Sequence, residues 1–209
     1  IESMYEHIKF KNAINMRKAN YDKFPSTKLT GMLVQGWDSI ISMLKEKMDA
    51  RKVLAVDLYT GVYEEEVLDA FSKEFSGRVM NVRDLMKPEK EIQALTERFM
   101  TEDVLFGYVT NLKLEDYLDA DKVAAARKQI SEAKETIVII GTGAAVVAPQ
   151  DAMVVYADMA RWEIQQRFRR HEVKALGIDN RNDAVSLQYK RGYFNDWRVC
   201  DRYKERLFD

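Results

Sequence analysis

A chain of 209 residues with 46% hydrophobic and 32% charged side chains is long enough to close one sizeable core, and no apolar run in it approaches the roughly 18 residues of a membrane span. Its 33 Lys and Arg nearly balance 34 Asp and Glu, for a formal net charge of -1, which argues against general binding to nucleic acid. One cysteine, Cys200, excludes an internal disulfide, and with only His7 and His171 besides, a metal centre built on His and Cys is not expected. The N-terminal stretch IESMYEHIKF lacks the apolar centre of a signal peptide, so the cytoplasm is the expected location and no membrane partner is expected.

Residues 1–35 mix Tyr5, Phe10, Tyr21 and Phe24 with Pro25 and Gly31 without a sustained period, and read as an irregular N-terminal arm. Between Gly36 and Met48, Trp37, Ile40, Ile41, Leu44 and Met48 recur at helical spacing, the mark of a one-faced helix. Val53 to Val56 reads as a first strand, and the chain then turns through Gly61 into a helix opened by Glu64, Glu65 and Glu66. Strand, glycine turn and helix make the skeleton of a phosphate loop. If Gly61 is the second glycine of G-x-x-x-x-G-K-[ST], the first glycine falls on Val56, the lysine on Val62 and the hydroxyl on Tyr63. The three glutamates suit the helix dipole and repel a triphosphate, so a working ATP loop is not expected here.

Arg78 to Val82 reads as a second strand, followed by Asp84, the Lys87-Pro88 turn and a helix from Glu89 to Phe99. Thr101 to Leu118 is aromatic and irregular, and a helix runs on to Ile130 with Asp119 or Asp121 as its cap. Thr136 to Ile140 and Ala152 to Tyr156 are apolar runs of the kind buried on both faces of a parallel sheet. Strands alternating with helices predict an α/β fold: a three-layer arrangement around a parallel sheet.

In such sheets ligands bind beyond the carboxyl ends of the strands. There the sequence offers the turn Gly141, Thr142 and Gly143, the carboxylate of Asp158, and a helix carrying Arg161, Arg167, Arg169 and Arg170. Backbone N–H groups and guanidinium forks both bind phosphate oxygens, so Gly61, Gly141, Thr142, Gly143, Arg161, Arg167 and Arg170 are the expected ligand-binding residues. A dinucleotide fingerprint at the turn is weak, because Val146 stands where its third glycine belongs. Residues 161–209 hold twelve Lys and Arg against eight Asp and Glu, a local excess that fits a small anionic ligand better than a polymer. The last stretch, residues 176–209, loses the strand-helix pattern and interleaves Tyr189, Tyr193, Phe194, Trp197 and Tyr203 with Lys190, Arg191, Arg198 and Arg202. It reads as an aromatic-basic docking segment, an amphipathic tail that packs on a domain, with a ligand-facing surface as the alternative.

As an ordered set, VLAVDLYTGVY, VRDLMKP, VLFGYVTNLKLEDYLDADKVAAARKQI, IVIIGTGAA and VVYADMARWEIQQRFRR resemble the uridine-kinase-like branch of the P-loop kinases. The resemblance implies a P-loop nucleoside-kinase-like domain over residues 36–175, with Asp84 as the acid that orients the acceptor hydroxyl. With no lysine at Val62 and no hydroxyl of the right kind at Tyr63, it also implies a domain that has lost phosphoryl transfer. The alternative is an active nucleoside or sugar kinase that uses Asp84 as base. NYDKFPST, GVYEEEVL, RDLMKPEKEI, TERFMTEDVLFGY, ADMARWEIQQRFRRHEVKALGIDNR and SLQYKRGYFNDWR are similar to the N-terminal extension of some bacterial class I mannose-6-phosphate isomerases. That similarity implies a partner isomerase domain, a zinc-dependent cupin in cis or in trans, whose His-rich metal site is not among these residues. The expected function is a non-catalytic or regulatory domain that binds a sugar phosphate or nucleotide, with no cofactor of its own and with homo-oligomers among its expected partners.

Overall fold

The computed structural model describes residues 21–22, 25–28, 30–48 and 50–208. The chain divides into two compact units, Ile1–Val34 and Gln35–Asp209. The described residues of the first unit carry no helix or strand, and most of the expected N-terminal arm lies outside the described residues.

The second unit is an α/β domain. Its strands β1 (Val53–Leu58), β2 (Arg78–Asn81), β3 (Ile137–Gly141) and β4 (Met153–Ala157) form one sheet in the order β2-β3-β1-β4. Every pairing is parallel, with Val53 opposite Ile137 on one side of β1 and Leu54 opposite Met153 on the other. All six residues of β1 and all five of β3 are buried, which is why both read as unbroken apolar runs.

Pleating sends alternate side chains to opposite faces, and each face has its own core. Leu54, Val56 and Leu58 meet α1 (Trp37–Met48) through Ile41 and Leu44, and α2 (Glu64–Glu74) through Val67 and Phe71. Val53, Ala55, Ile137 and Ile139 face the larger cluster built by α3 (Glu89–Met100), α4 (Ala120–Glu132), α6 (Arg161–Arg169) and the C-terminal helices. Helices on both faces of the sheet give the three layers that strand-helix alternation predicts. Asp119 caps α4, its Oδ1 accepting the N–H groups of Asp121 and Lys122. A four-residue helix, α5 (Ala144–Val147), follows the glycine turn after β3.

The stretch beyond residue 176 differs most from its sequence reading. It forms α7 (Val185–Arg191), a π-helical turn (Gly192–Asp196) and α8 (Trp197–Phe208), with Trp197, Val199, Cys200 and Tyr203 in the main core. The docking segment thus packs on its own domain. Its helical period is hidden because Gln188, Lys190, Arg191, Asn195 and Asp196 are buried among the aromatics, and because a π turn shifts the apolar stripe around the axis. Gly192 is required there, since a Cβ would sit 2.8 Å from the Trp197 ring. Trp197 stacks on Phe168 of α6 at 6.1 Å between ring centres.

Candidate functional site

The carboxyl ends of β1 and β3 meet at Asp57 and Gly141, which face each other in register. Asp57 follows Val53 and Ala55 on the larger core's face and is wholly buried. Its Oδ1 accepts the Gly143 N–H at 3.0 Å, its Oδ2 accepts the Ala145 N–H at 2.9 Å, and the Tyr203 hydroxyl of α8 also donates to Oδ2. Burial pushes the Asp57 carboxyl above its ordinary range, and these three hydrogen bonds offset part of that rise. The anion held by the glycine turn is therefore the chain's own carboxylate. Both of its oxygens are committed to N–H and O–H donors, and among the described residues no three His, Cys, Asp or Glu side chains gather as metal ligands.

The second feature is the loop after β1. Gly61 has φ +94°, and a Cβ there would lie 2.8 Å from Cγ1 of Ile164, so glycine is required both by the turn and by the approach of α6. Tyr59 to Glu65 form one wall of a cleft completed by Arg83, Thr142 and residues 172–176. About 30 Å³ of it is free, well below the roughly 300 Å³ at which sites for small molecules begin. The first turn of α2, where a phosphate would collect the free N–H groups, carries Glu64 and Glu65 instead. Glu64 pairs with Arg83 at 3.2 Å and Glu65 with Lys174 at 2.6 Å, and the Lys174 hydrogen bond holds the Glu65 carboxyl below its ordinary range. The cleft's two cations are thus matched by two carboxylates.

Of the residues named from sequence, Gly61 and Thr142 meet in this cleft. Gly141 and Gly143 frame the turn that Asp57 occupies; both have positive φ, 135° and 95°. The arginines spend their donors on the protein itself, Arg167 at the glycine loop and the others mainly on carboxylates outside it. Arg161 pairs with Asp201 at 3.0 Å, donates to the Tyr59 hydroxyl at 3.0 Å, and lies over the Trp197 ring. Arg167 donates to the Gly61 carbonyl at 2.8 Å and to Glu163 at 3.1 Å, with its guanidinium 3.6 Å from the centre of the Tyr63 ring. Arg170 is shared between Glu163 and Glu172. Asp158 pairs with Lys204 at 2.5 Å. Asp84 is exposed in the 3-10 turn after β2 and lines a separate groove with Lys122 and Gln129, so it is not brought to the glycine loop; its neighbour Arg83 is.

Asp57 and Tyr203 are the central pair that sequence reasoning missed. An aspartate ending a buried apolar strand signals a fixed polar contact. Its partners lie 86, 88 and 146 residues further along the chain, beyond the reach of any local pattern.

Residues 36–209 match the family model described as Domain of unknown function (DUF8485). The chain belongs to that family. The match takes in the whole sheet, the glycine loop and the C-terminal helices, and it opens one residue after the second compact unit does. No curated protein matches the chain. Among the described residues of this DUF8485 member no helix is long and apolar enough to cross a membrane.

Proposed function

We propose that this DUF8485 domain is a kinase-shaped binding module without phosphoryl-transfer activity, which recognises a phosphorylated small molecule and works beside a class I mannose-6-phosphate isomerase. The observation that carries the non-catalytic part is the internal neutralisation of the phosphate positions. Asp57 takes the N–H groups of the turn after β3, and Glu64 and Glu65 take Arg83 and Lys174 at the head of α2. Phosphoryl transfer depends on fixed cations and donors aimed at the moving charge. Here those groups are satisfied by the protein itself, and Val62 and Tyr63 supply neither an ammonium nor a hydroxyl suited to Mg2+.

The kinase-like shape is supported by the parallel order β2-β3-β1-β4, with a glycine loop leading from the inner strand β1 into α2. The phosphorylated ligand is supported by the excess of Lys and Arg after residue 160, and the isomerase partner by the sequence words shared with the extension of that enzyme. In this reading the zinc chemistry and the interconversion of mannose 6-phosphate and fructose 6-phosphate belong to the cupin.

Incubation of the chain with ATP, Mg2+ and a panel of nucleosides and hexoses is expected to give no ADP above a no-enzyme control. ADP release that disappears in Asp84→Asn would replace this reading with that of an active kinase.

A further inference from the structure

Resting on the reading of a phosphorylated ligand, we infer that it binds in a cationic groove between residues 110–114 and α8, away from the glycine loop. Residues 110–113 lead into the 3-10 turn Leu114–Tyr117, with Thr110, Leu112 and Leu114 buried and Asn111 and Lys113 exposed. The facing wall is one helical stripe of α8, Val199, Arg202, Tyr203 and Arg206, at the spacing that keeps side chains on one face. Together they border an open groove of about 500 Å³, within the range of sites for small molecules.

The charges here are less fully paired than in the cleft, with Lys113 acting on Glu115 only through space. Lys113 and Arg202 have no carboxylate within ion-pair distance among the described residues, whereas Arg83, Lys174, Arg161, Arg167 and Arg170 each have one. Arg202 spends one nitrogen on the Leu112 carbonyl at 2.6 Å, which aims the guanidinium across the groove. The lining itself carries three cations, Lys113, Arg202 and Arg206, against the one carboxylate of Glu205; Glu115, which holds Arg206 at 3.1 Å, and Asp116 stand just outside it.

The wall is also fixed in place. Thr110 N–H donates to the Phe194 carbonyl at 2.9 Å, Leu112 N–H to the Thr110 hydroxyl at 3.1 Å, and Lys113 N–H to Asp116 at 2.7 Å. Leu114 packs against the Gly143 turn, and Tyr203 reaches Asp57, so the groove is seated against the carboxyl ends of β1 and β3. Lys113 and Arg202 grip the phosphoryl oxygens, and the exposed Asn111 offers hydrogen bonds to a polyol.

Calorimetry on the full chain tests the site with inorganic phosphate, AMP, mannose 6-phosphate and unphosphorylated mannose. Mannose 6-phosphate is expected to bind saturably and mannose not to bind, with AMP and inorganic phosphate separating a preference for the sugar from a need for the phosphoryl group alone. Lys113→Gln, an exposed change with no effect expected on folding, should weaken mannose 6-phosphate by about tenfold, and Arg202→Lys by less. Unchanged affinity in Lys113→Gln and in Lys113→Gln/Arg202→Gln, with both variants folded by circular dichroism, would overturn the groove and leave the phospho-ligand reading standing. Absence of saturable binding by every phosphorylated compound would overturn both.

Discussion

Asp57→Ala is expected to lower the thermal midpoint of the domain by on the order of 10 °C. The change leaves the Gly143 and Ala145 N–H groups and the Tyr203 hydroxyl without their acceptor, deep inside the protein. Orphaned buried donors cost about 1–3 kcal/mol each and are not fully additive, so a loss of about 3–5 kcal/mol is reasonable, at about 2–4 °C per kcal/mol for a domain of this size. Asp57→Asn keeps one acceptor and should lose less. Tyr203→Phe removes a single donor and should lose about 1 kcal/mol. Calorimetric melting in that order supports the carboxylate as the tie between β1, the glycine turn and α8; an Asp57→Ala protein as stable as the native one would refute it.

The pH dependence of the same pair has an unusual sign for an aspartate. Because burial raises the folded pKa of Asp57 above its ordinary 3.8, the folded state holds this proton more tightly than the unfolded chain does. The resulting contribution to stability is full below the unfolded value and is lost as pH rises through the folded pKa. The stability gap between the native protein and Asp57→Asn should therefore narrow as pH is raised across that interval. Acid-stabilised native protein relative to the Asn variant is the outcome to look for, since the salt-bridged surface carboxylates, whose effect runs the other way, cancel in the difference.

Arg191→Ala is the second substitution with a large expected effect. Arg191 and Asp196 are 6% and 2% exposed and face each other at 3.6 Å, an ion pair too long to be a good hydrogen bond. Arg191 also donates to the Thr96 hydroxyl at 3.0 Å, and Asp196 accepts the Leu176 N–H at 3.1 Å. Burial already raises the Asp196 carboxyl, and Arg191 is the cation that opposes the rise. Removing the arginine leaves a buried carboxylate with no counter-charge, a change that costs about 3–5 kcal/mol in comparable settings. A denaturation midpoint lowered accordingly, with most of it recovered in Arg191→Met/Asp196→Leu, is the expected pattern. A single variant indistinguishable from native would show that Arg191 does not compensate the buried Asp196 carboxylate.

The inner strands β1 and β3 were legible because burial on both faces leaves a plain mark in sequence, whereas the run expected to be buried likewise at Ala152 to Tyr156 forms the edge strand β4, whose Val154 is 44% exposed. Val53 to Val56 and Thr136 to Ile140 each fall within two residues of the observed strands, and the α4 cap, narrowed to Asp119 or Asp121, and the α1 stripe were readable for similarly local reasons. The site was harder to read because its partners are distant. The glycine turn has the form of an anion cradle, and sequence has no means of showing that the anion comes from Asp57. Arg161 has the form of a phosphate ligand, and its carboxylate, Asp201, stands 40 residues away on α8. The C-terminal helices escaped notice because the polar residues Lys190, Arg191 and Asp196 are inside, where an apolar period would have announced the helix.

Calorimetric titration of the chain with Mg-ATP tests the central proposal most directly, that the chain is kinase-shaped and that its own carboxylates fill the positions a kinase would give to phosphates. With Asp57 on the turn, Glu64 and Glu65 on the two cations, and no lysine at Val62, no saturable heat is expected at micromolar concentrations of nucleotide. Binding of one Mg-ATP per chain with micromolar affinity would contradict the account.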